Sequence, residues 1–263
     1  MSDRTKAICF ANNKGGSGKS TTCANLGYAI SLLGKKVLMI DADMQLNLSL
    51  SYFDEDTVFE LAQGKKNLFQ AVKNQSDLTD CVMHTGYDGL DIIPSSTLMS
   101  GIEFELFPKM QREFVLKKCL ASLKKSGEYD YILIDAPPTL GTWVINILAA
   151  SDYIIIPVEA SPWGLFGLAN MFEFIAQIRE IAPSLTVMGI AVTKVSERKN
   201  YFKQTIETLK QSETYVFDSY VRIDVNIEKA QDECKPVIAY SPKCRSAGEF
   251  TAMAKEVDSI VNR

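Results

Sequence analysis

The sequence contains few of the residues from which zinc and iron–sulfur sites are built. Its 263 residues include a single histidine, His84, and six cysteines, no two of which stand in a C-x-x-C pair. Such centres depend on closely spaced thiolates and imidazoles, so neither kind is expected. Scattered thiols are typical of proteins from a reducing compartment, and we expect them to stay unpaired: Cys9, Cys23, Cys81, Cys119, Cys234 and Cys244.

Long hydrophobic runs and a strong charge of either sign are also missing. No apolar stretch approaches the roughly 20 residues that a membrane-spanning helix needs, and the opening MSDRTK does not resemble a secretion signal. We therefore expect a cytoplasmic protein that does not enter a membrane. A formal net charge of −4 gives no overall signature of nucleic-acid binding, so any contact with DNA needs a local basic patch or one that forms on assembly.

Continuous apolar runs alternate with amphipathic helical segments along the chain. Runs without polar alternation are typical of parallel strands that helices cover on both faces. Because no Pro-, Gly- or Ser-rich linker divides the sequence, we predict one domain over 1–263 with a doubly wound α/β fold, a mostly parallel sheet flanked by helices. The predicted strands lie within 6–11, 35–41, 129–138, 151–159 and 184–194, and the predicted helices within 20–33, 109–125, 140–150, 164–181 and 200–211.

The segment NKGGSGKS, residues 13–20, stands between the first predicted strand and the first predicted helix. In that context it predicts a phosphate-binding loop (P-loop), whose glycines let backbone N–H groups turn toward phosphate oxygens at a helix N-terminus. Lys19 is expected on the β- and γ-phosphates of a nucleotide, Ser20 on Mg²⁺ and Thr21 near the α-phosphate. The residues predicted to bind nucleotide here are Gly15, Gly16, Ser17, Gly18, Lys19, Ser20 and Thr21.

A generic phosphate-binding loop needs one lysine, Lys19, and does not need the additional lysine that precedes it, Lys14. The stretch KGGSGKST, residues 14–21, resembles the deviant Walker A motif K-G-G-x-G-K-[ST] of the ParA/MinD family of P-loop ATPases. In that family two subunits sandwich two ATP molecules, and the early lysine reaches the phosphates of the opposite subunit. The resemblance implies that Lys14 is a catalytic, nucleotide-binding residue acting in trans, whereas Lys19 acts in cis. A solvated surface lysine is the alternative for Lys14.

Two aspartates follow the second predicted strand. The stretch DADMQLN, residues 41–47, resembles the family segment D-x-D-P-Q-G-N, with Met44 and Leu46 in place of proline and glycine. The resemblance implies that Asp43 is the catalytic carboxylate that orients the attacking water. Asp41 either orders this loop or a water near magnesium, or it merely ends the strand.

A third acidic strand end is found in the segment YILIDAPP. Its apolar run ends in Asp135, and the family pattern D-x-P-P is kept in residues 135–138. Together with the phosphate-binding loop, this pattern is typical of a Walker B aspartate. Asp135 and Ser20 are therefore predicted to hold Mg²⁺.

The C-terminal third carries the weaker part of the resemblance. Residues 192–194, VTK, end a predicted strand where the family places residues near the base, which implies an adenine contact from Thr193 or Lys194. The closing segment, 221–250, also resembles the family's, with Cys234 where glycine is usual. ParA proteins bind DNA without sequence preference through basic residues in this region. The corresponding candidates, each alternatively a solvated surface charge, are Lys199, Lys203, Arg222, Lys243 and Arg245.

The resemblance implies a slow, Mg²⁺-dependent ATPase that dimerises around two ATP molecules and associates with the nucleoid. The homodimer would bind non-specific DNA and position a plasmid, chromosome or other cargo with a ParB-like adaptor protein that stimulates hydrolysis. A MinD-like membrane-surface ATPase is the alternative, but it needs a basic amphipathic C-terminal helix, and the tail 247–263 carries acids on its polar face. A reductase on this scaffold would need paired cysteines, and a small-molecule ligase would not need Lys14.

Overall fold

Seven strands form one sheet through the middle of the molecule. They are β1 (Lys6–Phe10), β2 (Val37–Asp41), β3 (Met83–Tyr87), β4 (Leu90–Ile93), β5 (Tyr131–Asp135), β6 (Tyr153–Glu159) and β7 (Thr186–Thr193). Their order is β3-β4-β2-β5-β1-β6-β7, and every pairing is parallel except that of β3 with β4. This computed structural model describes residues 5–196, 205–209 and 214–262, without the side chains of residues 162–166.

Helices cover both faces of the sheet, so the predicted doubly wound α/β fold is confirmed. The α-helices are α1 (Lys19–Ser31), α2 (Asn47–Leu50), α3 (Glu55–Gln63), α4 (Leu68–Asn74), α5 (Ile102–Leu106), α6 (Val115–Cys119), α7 (Ala121–Ser126), α8 (Thr142–Ala150), α9 (Pro162–Ile178), α10 (Val225–Asp232), α11 (Val237–Tyr240) and α12 (Arg245–Val261). Single 3₁₀ turns occur at Thr79–Cys81, Thr97–Gly101 and Arg112–Phe114, and residues 205–209 are also helical.

Alternate side chains of the inner strand β1 enter two separate hydrophobic cores. Ala7 and Cys9 pack with residues of α4 to α9, whereas Ile8 and Phe10 pack with residues of α1 and α12. All four side chains are fully buried. Burial on both faces explains why the strand has no polar alternation in the sequence.

The parallel register aligns the carboxyl ends of three neighbouring strands. Phe10 at the end of β1 pairs with Asp135 in β5, and Asp41 at the end of β2 pairs with the same residue. The loops that follow these strands therefore leave the sheet at one edge. Ligands of open α/β sheets bind at this carboxyl edge.

The antiparallel hairpin of β3 and β4 was absent from the predicted elements. β4 is only four residues long, and β3 contains the polar His84 and Thr85 and the glycine Gly86. Short strands of this composition give little periodic signal. The hairpin turns at Gly89, whose φ of 71° lies in the left-handed region that glycine adopts without steric cost.

The prediction of one helix over 109–125 is wrong. This segment is a 3₁₀ turn followed by the short helices α6 and α7. A buried side chain on α8, Asn146, interrupts it by accepting a hydrogen bond from the Leu116 N–H (3.2 Å) and donating one to the Arg112 carbonyl (2.7 Å). The predicted helix over 200–211 falls outside the described residues except at 205–209.

We expect Leu133→Ala, in the middle of β5, to lower the free energy of unfolding by about 2–5 kcal/mol, because its fully buried side chain would leave a cavity between the sheet and α1. Urea unfolding followed by circular dichroism measures this loss. The matched control Leu32→Ala changes a leucine that is 58% exposed and should cost less than about 0.5 kcal/mol. Equal losses in the two variants would contradict the assignment of the core.

Candidate nucleotide-binding site

The loop between β1 and α1 has the backbone conformation of a phosphate cradle. Gly16 and Gly18 adopt φ values of 73° and 87°, which other residues rarely adopt, and α1 begins directly afterwards at Lys19. The Thr193 hydroxyl, at the end of β7, donates a hydrogen bond to the Ser17 carbonyl (2.8 Å) and so links the loop to β7. Because its proton is used there, Thr193 keeps only acceptor capacity for an adenine.

Lys19 is buried at the centre of this loop. Its Nζ donates a hydrogen bond to the Lys14 carbonyl at 3.3 Å. Burial lowers the pKa of the Lys19 ammonium, and the carboxylates of Asp135 and, less strongly, Asp43 oppose that shift. The fold therefore brings together the predicted cis lysine and both predicted functional aspartates.

Asp135, at the end of β5, has two buried carboxyl oxygens, neither of which accepts a hydrogen bond in the described part of the chain. Burial raises its pKa well above the usual range, and the Asp41 carboxylate adds to this effect, whereas the nearby Ser20 hydroxyl and Lys19 oppose it. Buried carboxylates normally have hydrogen-bond partners. Two orphaned oxygens beside a serine hydroxyl fit a hard divalent cation such as Mg²⁺, which prefers oxygen ligands.

Asp41 orders the loop that carries Asp43. Its fully buried carboxylate accepts hydrogen bonds from the Ser49 N–H (2.8 Å), the Ser49 hydroxyl (2.7 Å) and the Asp43 N–H (3.3 Å). Burial raises the pKa of Asp41 to about 6 in spite of these bonds. These contacts favour the loop-ordering role over a simple strand end. Asp43 is buried and accepts a hydrogen bond from the Gln45 N–H at 3.1 Å.

Two positions where the family usually has glycine keep a left-handed backbone here without it. Leu46, in the Asp43 loop, has φ of 60°, and Cys234, after α10, has φ of 51°. A side chain in this region costs roughly 1–2 kcal/mol. The backbone shape of both turns is therefore kept although the residue that favours it has been replaced.

The second lysine of the loop, Lys14, contacts its own chain. Its Nζ lies 2.7 Å from Glu159 Oε2 and 3.4 Å from the Ser161 hydroxyl. Its backbone N–H donates to Asn12 Oδ1 (3.0 Å), and the Asn12 amide in turn donates to the Pro157 carbonyl (2.7 Å). Glu159 was not among the predicted site residues. The one signal in the sequence that could have indicated a site role for Glu159 was its position at the end of a strand, β6, which lies beside β1 in the sheet.

Two neighbouring cavities that share lining residues open around the phosphate-binding loop. The larger, about 710 Å³, is lined by loop and acidic residues together with the end of α10: Gly15, Gly16, Gly18, Lys19, Ser20, Thr21, Asp43, Gln45, Asn47, Pro138, Lys194, Gln231 and Asp232 among others. The smaller, about 300 Å³, adds apolar side chains suited to a planar base: Val221, Ile223, Ile227 and Phe250. The Gln231 amide donates to the Thr21 hydroxyl (3.2 Å) where the cavities meet.

Lys194 lines both cavities and directs its ammonium over the loop. Its Nζ lies 3.9 Å from the point that a Cβ on Gly16 would occupy, and its own φ of 52° is left-handed. Of the two residues expected near the base, Thr193 lines the smaller cavity alone, whereas Lys194 lines both and also extends over the loop.

The candidate DNA-binding residues are only partly visible. Lys199 and Lys203 lie outside the described residues. Arg222 lines the smaller cavity and pairs with Glu249, and Arg245 Nε lies 3.6 Å from the same carboxylate. Lys243 is exposed. All five remain predictions.

Some structural features are missing from the described part of the chain. There, no three histidine, cysteine or acidic side chains gather in a metal-binding cluster, and the six cysteines are unpaired. None of the helices found in the same residues has the length and apolarity to cross a membrane.

Comparison with known proteins decides the family. A family model described as an AAA domain matches residues 5–187. The sporulation initiation inhibitor protein Soj of Bacillus subtilis is 34% identical over 254 residues, which cover 96% of this chain and 98% of Soj. The chain belongs to the ParA/MinD family of ATPases. The family resemblance of KGGSGKST is thereby confirmed.

A second relative agrees with this placement, and a solved structure shares the fold. Chromosome partitioning protein ParA of Caulobacter vibrioides is 31% identical over 256 residues, or 97% of this ParA/MinD chain and 94% of that protein. A solved structure of cobyrinic acid a,c-diamide synthase from Mycobacterium smegmatis, with bound ADP and magnesium, superposes on this chain with a TM-score of 0.80. The superposition covers 96% of this chain and 94% of the synthase chain. At 24% identity, this second likeness concerns the fold alone.

We expect Asp135→Asn to stabilise the nucleotide-free chain by about 1–3 kcal/mol at pH 7, because it removes a buried carboxyl group whose oxygens have no partner. The raised pKa means that the folded chain holds this proton more tightly than the unfolded chain, so wild-type stability falls as pH rises above the unfolded value of about 4. The advantage of the variant should therefore grow with pH.

Urea unfolding in EDTA between pH 4 and pH 8 measures this difference. Asp88→Asn, which changes an exposed aspartate in the β3–β4 turn, is the matched control. A wild type that gains stability with pH relative to Asp135→Asn would contradict the raised pKa.

Proposed function

We propose that the chain is an ATP-dependent switch that binds ATP with Mg²⁺, forms a homodimer, binds DNA without sequence preference and resets by slow hydrolysis. The observation that carries this proposal is the separation of its two loop lysines. Lys19 is buried beside Asp43 and Asp135, whereas Lys14 points away from that cluster onto Glu159. A loop that served a single nucleotide in one subunit would not need a second lysine for its phosphates.

The residues of the larger cavity would hold the nucleotide and its metal. The loop N–H groups and Lys19 bind the β- and γ-phosphates, Ser20 and Asp135 hold Mg²⁺, and the apolar walls of the smaller cavity take the base. Bound Mg²⁺ would neutralise charge that develops on the phosphates. Lys194 adds a cation at the junction of the cavities, where the ribose and inner phosphates would lie.

Hydrolysis requires a carboxylate that orients a water molecule toward the γ-phosphate. Asp43 suits this role because its loop is fixed by the buried Asp41 and because, among the described residues, Gln45 is its one hydrogen-bond donor. One carboxyl oxygen thus remains to accept a proton of the attacking water. A trans lysine would then stabilise the charge on the transferred phosphoryl group.

Dimerisation on this scheme must break the contact between Lys14 and Glu159. The pair is about two-thirds buried on each side, with side-chain exposures of 28% and 33%. A partly exposed ion pair is worth about 1 kcal/mol or less, whereas a triphosphate presents several negative charges to the same lysine. The pair therefore holds the lysine in the single chain without preventing its transfer to ATP.

DNA binding and partition are proposed from the relatives. Soj of Bacillus subtilis and ParA of Caulobacter vibrioides align with this chain almost end to end, and the latter is named a chromosome partitioning protein. Affinity for DNA rises steeply with the number of phosphates contacted, so two modest patches joined in a dimer bind where one does not. A ParB-like adaptor that accelerates hydrolysis would release the DNA, and nucleoid association would follow the ATP state.

The last helix argues against the membrane alternative. The apolar side of α12 is buried against α1 and the sheet through Ala247, Phe250, Met253, Ala254 and Val257. A membrane-surface helix must present its apolar side to lipid. Over the described residues, α12 is thus a structural helix of the core.

The proposal predicts DNA binding that depends on ATP. Wild type should retain a non-specific duplex in ATP–Mg²⁺ but not in ADP–Mg²⁺ or without nucleotide, and binding should weaken as salt increases. Asp43→Ala should prolong DNA binding by blocking hydrolysis. Lys14→Ala should bind ATP but neither dimerise nor hold DNA. Lys19→Ala should lose affinity for ATP. Fluorescence anisotropy of a labelled duplex measures the binding. ATP-driven dimers without DNA binding would move the function to another surface.

We expect Glu159→Gln to favour dimerisation, because Lys14 would no longer be paired within its own chain. The dimer should form at about two- to fivefold lower protein concentration in ATP–Mg²⁺, with ATP affinity of the monomer unchanged. Analytical ultracentrifugation of the Asp43→Ala background gives the dimer dissociation constant. Glu180→Gln, at an exposed glutamate on the turn after α9, is the control. A weaker dimer in Glu159→Gln would show that Glu159 acts in the assembled state instead.

A further inference from the structure

We infer that Trp143 is a positioning residue that fixes the peptide unit before Asp43 and couples this catalytic loop to helix α8. The inference rests on the proposed function, since it assigns a role in the same hydrolysis. Neither the KGGSGKST motif nor the D-x-P-P motif includes Trp143.

The indole ring reaches across the edge of the sheet to the Asp43 loop. Trp143 is 3% exposed, and its Nε1–H donates a hydrogen bond of 2.9 Å to the Ala42 carbonyl. The N–H of the same residue, Ala42, donates a hydrogen bond to the Asp135 carbonyl at 3.1 Å. Residue 42 is thus held from both sides, and the peptide that leads into Asp43 is held at its carbonyl by the indole and at its N–H by the Asp41 carboxylate.

Neither the indole N–H nor the Ala42 carbonyl could form a hydrogen bond to water instead. Ala42 is 1% exposed, so both the carbonyl and the indole N–H would be left unsatisfied if they separated. An unsatisfied buried donor or acceptor costs about 1–3 kcal/mol. This cost favours movement of the Asp43 loop and Trp143 together over their separation.

Trp143 is also tied to the segment that follows Asp135. It is the second residue of α8, directly after the DAPPTLG segment that carries the Pro-Pro turn. Its backbone N–H donates to Glu103 Oε1 of α5 at 3.4 Å, and this carboxylate packs closely over Gly141. Trp143 thus bonds to α5 and to the Asp43 loop, and it stands two residues after Gly141, the end of the DAPPTLG segment.

The consequence concerns where the water-orienting carboxylate sits. A shift of α8, whether it follows the γ-phosphate or a partner protein, is transmitted through a buried hydrogen bond to the residue next to Asp43. Binding of nucleotide to the phosphate-binding loop does not pass through Trp143. Loss of the indole N–H should therefore reduce turnover and leave affinity for ATP unchanged.

Trp143→Phe removes the N–H and keeps an aromatic ring. We expect kcat to fall about tenfold, with KM and the dissociation constant for ATP within twofold of wild type. Tyr129→Phe is the matched control, because it also deletes one buried donor, to Asp91 Oδ2 (2.7 Å), at the far end of β5. That variant should lose comparable stability and keep its kcat. A kcat for Trp143→Phe within twofold of this control, or a parallel loss of ATP affinity, would overturn the inference.

Fluorescence gives a second test that needs no turnover. The chain has two tryptophans, so Trp163→Phe leaves Trp143 as the one emitter. Its emission should change with ATP–Mg²⁺ and differ from the ADP–Mg²⁺ state in the Asp43→Ala background, where ATP persists. Identical emission in both states would refute the coupling. A wild type that binds ATP but never hydrolyses it would instead refute the proposed function, and the emission difference would still be measurable.

Discussion

The buried Asp135 carboxylate at the end of the central strand β5, which accepts no hydrogen bond within the described residues, is the constraint around which the site is arranged. Asp135 sits where the parallel register also delivers the phosphate-binding loop and Asp41. Lys19 is buried beside it, the nearby Asp41 carboxylate is fixed by its bonds to Ser49, and the Ala42 N–H at the start of the Asp43 loop donates to the Asp135 carbonyl. Burial of this carboxylate costs stability, and a divalent cation on its oxygens would offset that cost.

The same edge of the sheet separates nucleotide binding from assembly. Lys19 lies inside the loop with the acidic residues, whereas Lys14 lies outside it on Glu159 at the end of β6. Both lysines come from one loop of eight residues, so any change in the loop acts on both. A weak, partly exposed ion pair suits a lysine that must leave its own chain for a partner, because a buried pair would be too costly to break.

The phosphate-binding loop and its family could be predicted from consecutive residues. The motif carries its own local geometry, with Gly16 and Gly18 in the left-handed region, so tertiary contacts are not needed to recognise it. The same holds for the five long parallel strands. The hairpin of β3 and β4 is too short and too polar to give a periodic signal, and the segment 109–125 is broken by Asn146, a residue far away in the sequence.

By itself, the sequence determined the fold class, the family and the candidate residues for phosphate and metal, because these depend on local motifs and on hydrophobic runs along the chain. Only the tertiary structure decided the partner of Lys14, the orphaned state of the Asp135 oxygens and the contact of Trp143 with Ala42. It also showed that Leu46 and Cys234 keep turns usually made by glycine. The contacts of Lys14 and Trp143 join residues up to 145 positions apart in the sequence, so the packing of strands and helices sets them and no local pattern does.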